Sequence, residues 1–281
     1  MEKKLFGQMY FIFLTFFLFF IKTFMKRYAI VTFMFGNYDL LREPTVVDEN
    51  LDYYCLTDDK NLKSDVWECI YIPKLDTDTL TGVQKTNIIK NSFYKYLPKQ
   101  YDWWICIDAS IRCIGNVSEV IDYLDKNHYD VGFSIHATTT RFMEEYGIWE
   151  QIRGLNPKYA EKFKEYARVN DIDPEQRSGM IECTVKIYKN DEFVLQLIDE
   201  IYDTLEKWCN FEDNNDQPYI TSIFSFYDDE LKTCFFYRQL YYNSKYFEKY
   251  MHGCNLREYN EFTEATNNRY LLGKIRKLKS F

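Results

Sequence analysis

The stretch that most constrains the fold is a short apolar run, Trp103 to Ile107, which ends at the carboxylate of Asp108. The run is apolar at every position and not at alternate ones, a pattern typical of a strand buried on both faces of a sheet. In an open α/β sheet, ligands bind beyond the carboxyl ends of such strands. A carboxylate there is costly to bury unless it meets a metal, a hydroxyl or a cation. Asp108 is therefore the first candidate for a functional residue.

Strand-like and helix-like segments alternate along the chain. Apolar runs typical of strands occupy 28–35, 52–57, 66–72, 103–107, 129–134 and 181–188, and helical periodicity occupies 82–97, 117–127, 191–208 and 215–226. This alternation predicts an α/β fold, with a mostly parallel sheet and helices on both faces, in a single domain. The charged segment 141–170 is predicted to be a solvated helical insertion, and the chain beyond Tyr242 to be irregular.

Composition limits the classes of partner and of site. The net charge of −8 argues against a nucleic-acid partner, which needs a basic face. The eight cysteines include no C-x-x-C pair, so buried reduced thiols are favoured over a zinc site. Thiols of that kind suit a reducing compartment.

The first 24 residues have two interpretations. Residues 5–21 are uncharged and apolar with lysines on either side, long enough to form a membrane anchor. More basic residues follow the run than precede it, which predicts a main domain on the cytoplasmic side. Alternatively, Met25 is the true start, because the first strand follows it directly. In either case the predicted globular domain is 25–255, and 256–281 is a polar, basic tail.

Four pieces occur in a fixed order and carry a family resemblance. They are Phe35-Gly36-Asn37-Tyr38-Asp39, Thr57-Asp58-Asp59, a helix with Lys85 and Lys90, and Trp104-Ile105-Cys106-Ile107-Asp108-Ala109-Ser110. This order resembles the GT-A-fold glycosyltransferases and, more closely, the mucilage-related glycosyltransferase-like family of plants and bacteria. An Asp-Gln pair that opens a later helix in that family is matched by Asp216-Gln217. The resemblance spans residues 27 to 252.

The resemblance implies a site for a nucleotide-sugar donor. Asp108 takes the place of an acidic motif that holds Mn²⁺, Mg²⁺ or the ribose, but Ser110 stands where a second carboxylate is usual. Because a hydroxyl is a poor ligand for these ions, both metal-dependent and metal-independent binding remain open. Phe35, Thr57 and Asp59 are implied at the nucleoside end and Lys85 at the diphosphate.

The resemblance also implies residues at the sugar end. His136, Glu182 and Asp216 are implied as catalytic or sugar-binding residues, Gln217 as a donor contact beside Asp216, and His252 as a final metal ligand. The function implied is transfer of a sugar to a glycan or other acceptor in the synthesis of surface polysaccharide or glycoconjugates.

Other interpretations of these residues and of the chain remain. Asp216 can cap its helix, Lys85 and Lys90 can be solvated, and His136 can be a structural histidine. The chain can also be a catalytically inactive, membrane-tethered carbohydrate-binding protein. A sugar-phosphate nucleotidyltransferase is less favoured, since only Gly36 follows the first strand where that class has a glycine-rich loop.

Overall fold

The computed structural model describes residues 28–250, apart from residues 76, 137–138, 140, 155, 176–178, 214 and 237–243. The predicted anchor, the start at Met25, the basic tail and His252 lie outside the described residues. Within the described ranges, no helix is both long and apolar enough to cross a membrane.

Seven strands form one large sheet. They are β1 (Tyr28–Met34), β2 (Leu51–Thr57), β3 (Glu68–Tyr71), β4 (Trp103–Asp108), β6 (Val131–Ile135), β7 (Ile181–Lys189) and β8 (Thr233–Phe236). Their order across the sheet is β3-β2-β1-β4-β7-β6-β8. Strand β7 is antiparallel to both of its neighbours, β4 and β6, and every other pairing in this sheet is parallel. Two further strands, β5 (Ile111–Cys113) and β9 (Phe247–Lys249), pair with each other in a small separate sheet.

Helices cover both faces of the large sheet. Their bounds are α1 (Gly82–Lys90), α2 (Ser118–Lys126), α3 (Phe142–Arg153), α4 (Lys158–Val169), α5 (Glu192–Cys209) and α6 (Gln217–Phe226). Helix α2 packs on one face, and α1, α4, α5 and α6 belong to the core on the other. The predicted fold class, a mostly parallel sheet with helices on both faces in one domain, is confirmed.

One predicted helix is shorter than its periodicity indicated. The prediction ran from residue 82 to 97, but α1 ends at Lys90 and a single 3-10 turn, Phe93–Tyr96, follows. Two polar side chains account for the break. Asn91 Nδ2 donates to the Asn87 carbonyl at 2.9 Å, and Ser92 Oγ donates to the Ile88 carbonyl at 2.6 Å. Side chains of this kind compete with the backbone for helical carbonyls and favour helix ends.

The prediction of a solvated insertion at 141–170 was wrong for one face of that segment. Helices α3 and α4 bury a row of aromatic side chains in the main core, among them Phe142, Tyr146, Phe163 and Tyr166. Three of the aromatic residues on α4 recur at helical spacing, and the density of charged residues on the opposite face hid this pattern. The segment therefore contributes to the core and to the surroundings of the site.

The cysteine prediction is confirmed for the described residues. All seven described cysteines are free, and Cys69 alone among them is not fully buried. Cys254 lies outside the described ranges. The prediction that the chain beyond residue 242 is irregular was wrong at β9, a strand of three residues that is too short to show a period.

Candidate functional site

The predicted site residues meet at one edge of the large sheet. Strands β1, β2 and β4 are parallel, and their register aligns Met34 with Thr57 and Phe33 with Asp108. Because β7 runs the opposite way, its first residues reach the same edge, where Glu182 pairs with Ser134 near the end of β6. The carboxyl ends of the parallel strands and the start of β7 thus frame a single site, as expected for an open α/β sheet.

Lys90 is the cation that Asp108 meets. Its Nζ, at the end of α1, lies 2.7 Å from Asp108 Oδ1, and the lysine is buried. Burial by itself lowers the pKa of Lys90, but the charges of Asp108 and Asp216 outweigh this effect and raise the pKa above its ordinary value. Lys90 is therefore held as a cation by two carboxylates that lie far apart in the sequence.

Asp216 is at the start of α6 but does not cap it. No hydrogen bond joins its side chain to the first turn of the helix, although the residue is buried. Among the described residues its Oδ2 has no hydrogen-bond partner, and the same is true of the side-chain amide of Asn215 and of Gln217 Oε1. Buried polar atoms are costly without partners, so these three consecutive side chains are suited to bind a polar ligand.

Lys186 is a second cation of the site that the sequence reasoning missed. It lies within β7 opposite Cys106, is fully buried, and places Nζ 3.4 Å from Asn91 Oδ1. Its charge acts on Lys90 and lowers the pKa of that residue, opposite to the effect of the carboxylates. A lysine at the centre of a predicted strand, next to Val185 and Ile187, was the available signal, because lysine is rarely fully buried unless it is paired.

The two lysines of α1 differ in what they contact. Lys85, which was predicted at the diphosphate, places its Nζ 2.7 Å from Asp58 Oδ2, and the residue is 8% exposed. Asp58 also accepts a hydrogen bond from the Gly36 amide at 3.1 Å. The interpretation of Lys85 and Lys90 as solvated is wrong for both. Asp58 joins the loop after β1 to α1, a role that was not predicted for it.

The loop after β1 reaches α1 through two glycines. Gly36 has φ +67°, and a Cβ on it would lie 2.9 Å from the Gly82 Cα. At the same edge, Phe35 is buried in the core, and Thr57 Oγ1 accepts a hydrogen bond from the Asp59 amide at 3.0 Å. The three residues predicted at the nucleoside end are therefore neighbours in the structure, with Phe35 and Thr57 buried and Asp59 partly exposed.

Two residues predicted at the sugar end, His136 and Glu182, lie on the opposite side of β4 from β1. His136 Nδ1 accepts a hydrogen bond from the Thr139 amide at 2.9 Å, and its Nε2 lies 3.9 Å from Glu145 Oε2. Glu182 is buried, with Oε1 4.0 Å from Lys249 Nζ on β9. The small sheet of β5 and β9 therefore closes this side of the site.

A divalent ion does not fit the described residues by themselves. Mg²⁺ and Mn²⁺ take several oxygen ligands, but Asp108 is paired with Lys90 and Ser110 offers a fully buried hydroxyl. Within the part of the chain that the structure describes, no group of three or more histidine, cysteine or acidic side chains can hold a metal. His252, the other predicted ligand, lies outside it.

Comparisons with known proteins found similarity at the level of overall structure. No family model matches the chain, and no curated protein sequence does. Mouse xyloside xylosyltransferase 1, solved in its apo form, is similar with a TM-score of 0.41 and 12% identity, over 75% of this chain and 84% of that one.

Two fungal enzymes are similar to the same degree. Core-mannan synthase A of Aspergillus fumigatus, solved in an Mn/GDP form, has a TM-score of 0.42 and 13% identity, over 75% of this chain and 73% of that one. The mannosyltransferase Ktr4p of S. cerevisiae has a TM-score of 0.38 and 11% identity, over 69% and 64%. All three solved proteins are glycosyltransferases. The similarity assigns no role to any residue of this chain.

Proposed function

We propose that the protein is a glycosyltransferase that moves a sugar from a nucleotide-sugar donor to a glycan or other acceptor. The observation that carries the proposal is the group formed by buried Lys90 and Asp216 with partly exposed Asp108, at the edge where three parallel strands end. The order of motifs that resembles the mucilage-related family also supports it. The acceptor we propose belongs to surface polysaccharide or glycoconjugate synthesis.

The charges of this group match the needs of glycosyl transfer. Breaking the bond between sugar and nucleotide builds negative charge on the leaving diphosphate and positive charge on the reacting carbon. Lys90 and Lys186 offset the charge of the diphosphate, and Asp216 and Glu182 bind the sugar hydroxyls beside the reacting carbon. In this proposal Asp108 binds the ribose hydroxyls and keeps Lys90 in place.

Other parts of the proposal concern residues outside the described ranges. Residues 5–21 are proposed as a membrane anchor that keeps the domain on the cytoplasmic side, with Met25 as an alternative start. A divalent ion, if the protein uses one, would be held by Asp108 together with His252 and would neutralise the diphosphate. These elements follow from the sequence pattern and from the family resemblance.

Thermal melting with candidate donors tests the proposal. A ligand that binds only the folded state raises the melting temperature by mass action. We expect UDP-, GDP- or CMP-sugars at millimolar concentration to raise the melting temperature of the Met25-started protein, with one nucleotide class effective. Each donor is measured with Mn²⁺ and with EDTA. Loss of the shift in EDTA would show that donor binding needs a divalent ion, whereas a persistent shift would favour binding of the diphosphate by the lysines.

An isosteric variant makes the test specific to the site. Asp108→Asn keeps the shape of the side chain but removes the charge, so the shift caused by the donor should disappear. Asp65→Asn, at an exposed position, is the matched control and should respond as the wild type does. Cooperative melting with no shift from any donor, or an unchanged shift in Asp108→Asn, would contradict the proposal.

A binding protein without turnover is the second candidate. It is favoured by Ser110, which stands in place of a second carboxylate. Incubation with the effective donor and detection of the free nucleotide, a nucleoside diphosphate from UDP- or GDP-sugars and CMP from a CMP-sugar, separates the two functions. Release of this nucleotide supports the transferase, and binding without release supports the carbohydrate-binding protein. Release of pyrophosphate from a nucleoside triphosphate and a sugar phosphate would indicate a nucleotidyltransferase.

A further inference from the structure

The loop that carries Asp216 is fastened to the helix that carries Lys90. On α1, Gln84 Nε2 donates to the Asn210 carbonyl at 3.3 Å. Asn87 Nδ2 donates to two carbonyls of the same loop, that of Phe211 at 3.2 Å and that of Asp213 at 2.8 Å. Lys90 follows Asn87 by one turn on this helix. The separation between Lys90 and Asp216 is therefore set through these three bonds.

Asp213 adds a second attachment, to α3. Its Oδ2 accepts a hydrogen bond from the Tyr146 hydroxyl at 2.9 Å, and its Oδ1 accepts one from the Asn215 amide at 2.9 Å. Asp213 and Tyr146 are both fully buried. Both oxygens of the carboxylate are thus used as acceptors, one by a distant helix and one by the residue directly before Asp216.

We propose that Asp213 is a positioning residue for the site: its carboxylate ties α3 to the loop before α6 and so fixes Asp216 relative to Lys90. Asp213 itself need not touch the donor. The inference rests on the proposed function only for its effect on turnover. The attachment itself is a property of the fold and can be measured without any substrate.

The protonation state of Asp213 gives this role a pH dependence. The pKa of Asp213 is raised to about 7, mainly by burial and also by the charge of Asp216, against the Asn215 amide, the Tyr146 hydroxyl and Lys162 on α4, which lower it. The charge of Asp213 in turn raises the pKa of Tyr219 on α6 and of Cys209 on α5. The neutral carboxyl can accept from the Asn215 amide and donate to the Tyr146 oxygen, so the attachment is stronger when Asp213 is protonated and weakens as the pH rises through about 7.

Two variants separate positioning from folding. Asp213→Asn can keep both contacts, with its oxygen facing the Asn215 amide and its Nδ2 facing the Tyr146 oxygen, but it does not titrate. Tyr146→Phe removes the attachment to α3 and leaves the ring. Tyr166→Phe is the matched control, since its hydroxyl is buried and bonds to Ser222 rather than to this loop.

Hydrogen exchange at different pH values tests the attachment. In the wild type, the protection of peptides covering residues 210–217, corrected for intrinsic rates, should decrease several-fold as the pH rises from 6 to 8, because the pKa of Asp213 is higher in the closed loop than in an opened one. In Asp213→Asn the protection should not change with pH, in Tyr146→Phe it should be low throughout, and in Tyr166→Phe it should follow the wild type. Equal pH dependence in the wild type and in Asp213→Asn would overturn the proposal.

Turnover then tests the consequence for the site. With whichever donor shifts the melting temperature, release of the nucleotide by the wild type should fall about tenfold from pH 6 to 8, as the protonated fraction of Asp213 does, and Asp213→Asn should lack this fall. If the exchange signal depends on pH but no candidate donor binds or is turned over, the attachment stands and the proposed function is refuted. Donor turnover with the same pH profile in Asp213→Asn and the wild type would refute the positioning role alone.

Discussion

Lys90 Nζ lies 2.7 Å from Asp108 Oδ1, so a buried lysine at the end of a helix is the counter-charge for a carboxylate at the end of the central strand. Breaking a largely buried ion pair is costly because it leaves an uncompensated charge. For Lys90→Met we therefore expect a loss of roughly 3 kcal/mol in the free energy of unfolding, measured by urea denaturation, and loss of the donor-induced shift.

Lys95→Met is the matched control for that change. Lys95 Nζ also lies 2.7 Å from a carboxylate, that of Asp199, but both side chains are nearly half exposed. Exposed pairs contribute little, so the loss should be below about 0.5 kcal/mol and donor binding should be unchanged. Equal losses for the two variants would show that burial does not distinguish the pairs.

Asp216 and Asp191 stand at the starts of two helices and should respond in opposite ways. The Asp191 carboxylate accepts a hydrogen bond from the Phe193 amide, whereas Asp216 makes no such cap. Asp191→Ala should therefore lower the free energy of unfolding by about 1 kcal/mol and leave donor turnover intact. Asp216→Ala should cost less stability and abolish turnover. Wild-type turnover in Asp216→Ala, measured at saturating donor, would remove this residue from the site.

Two glycines provide a test of the loop after β1. Gly36→Ala places a Cβ at φ +67° and within 2.9 Å of the Gly82 backbone, so we expect a destabilisation of roughly 1–3 kcal/mol and weaker donor binding. Gly147→Ala lies within α3, where a Cβ meets nothing within 4 Å. It should raise the free energy of unfolding by about 0.5–1 kcal/mol, because alanine is the better helix former. Similar melting temperatures for both variants would contradict the close approach of the loop to α1.

The free energy of unfolding should depend on pH through the titration of Asp213. Its pKa is about 7 in the folded protein and lower in the unfolded chain, so between the two values the folded protein holds a proton that the unfolded chain has released. The contribution of this group to stability is therefore present at low pH and is lost as the pH rises through about 7. The urea midpoint of Asp213→Asn, relative to that of the wild type, should therefore rise from pH 5 to pH 8. The midpoint of Asp65→Asn should differ from that of the wild type by the same amount at every pH.

The central strand and its carboxylate could be predicted because the signal is local. Residues 103–107 are apolar at every position, and a buried strand is the one element of that length that needs such a run. The strand ends follow from the same pattern, which made Asp108 a candidate, whereas the roles of Phe35 and Thr57 were implied by the family resemblance. The direction of β7 could not be predicted, because a strand buried on both faces has the same composition whichever way it runs.

The charged residues of the site were harder to predict because their burial depends on distant partners. Lys90 lies on a helix with other polar residues, and only the fold brings it beside Asp108 and Asp216. Lys186 had a local signal, its position between Val185 and Ile187 at the centre of a predicted strand. Asp213 had none, since Tyr146 reaches it only after α3 has packed against the core.

The reversal of β7 has a consequence for how the site can change. The chain leaves the sheet at the end of β6 and returns to the same edge at Glu182, so the excursion through α3 and α4 starts and finishes beside His136. Because the two ends of this segment are adjacent, it can be lengthened or replaced at little entropic cost and without changing the pairing register of any strand. This segment can thus diversify without disturbing the strands that end at Asp108, provided that a replacement keeps the apolar face that α3 and α4 give to the core and the bond from Tyr146 to Asp213.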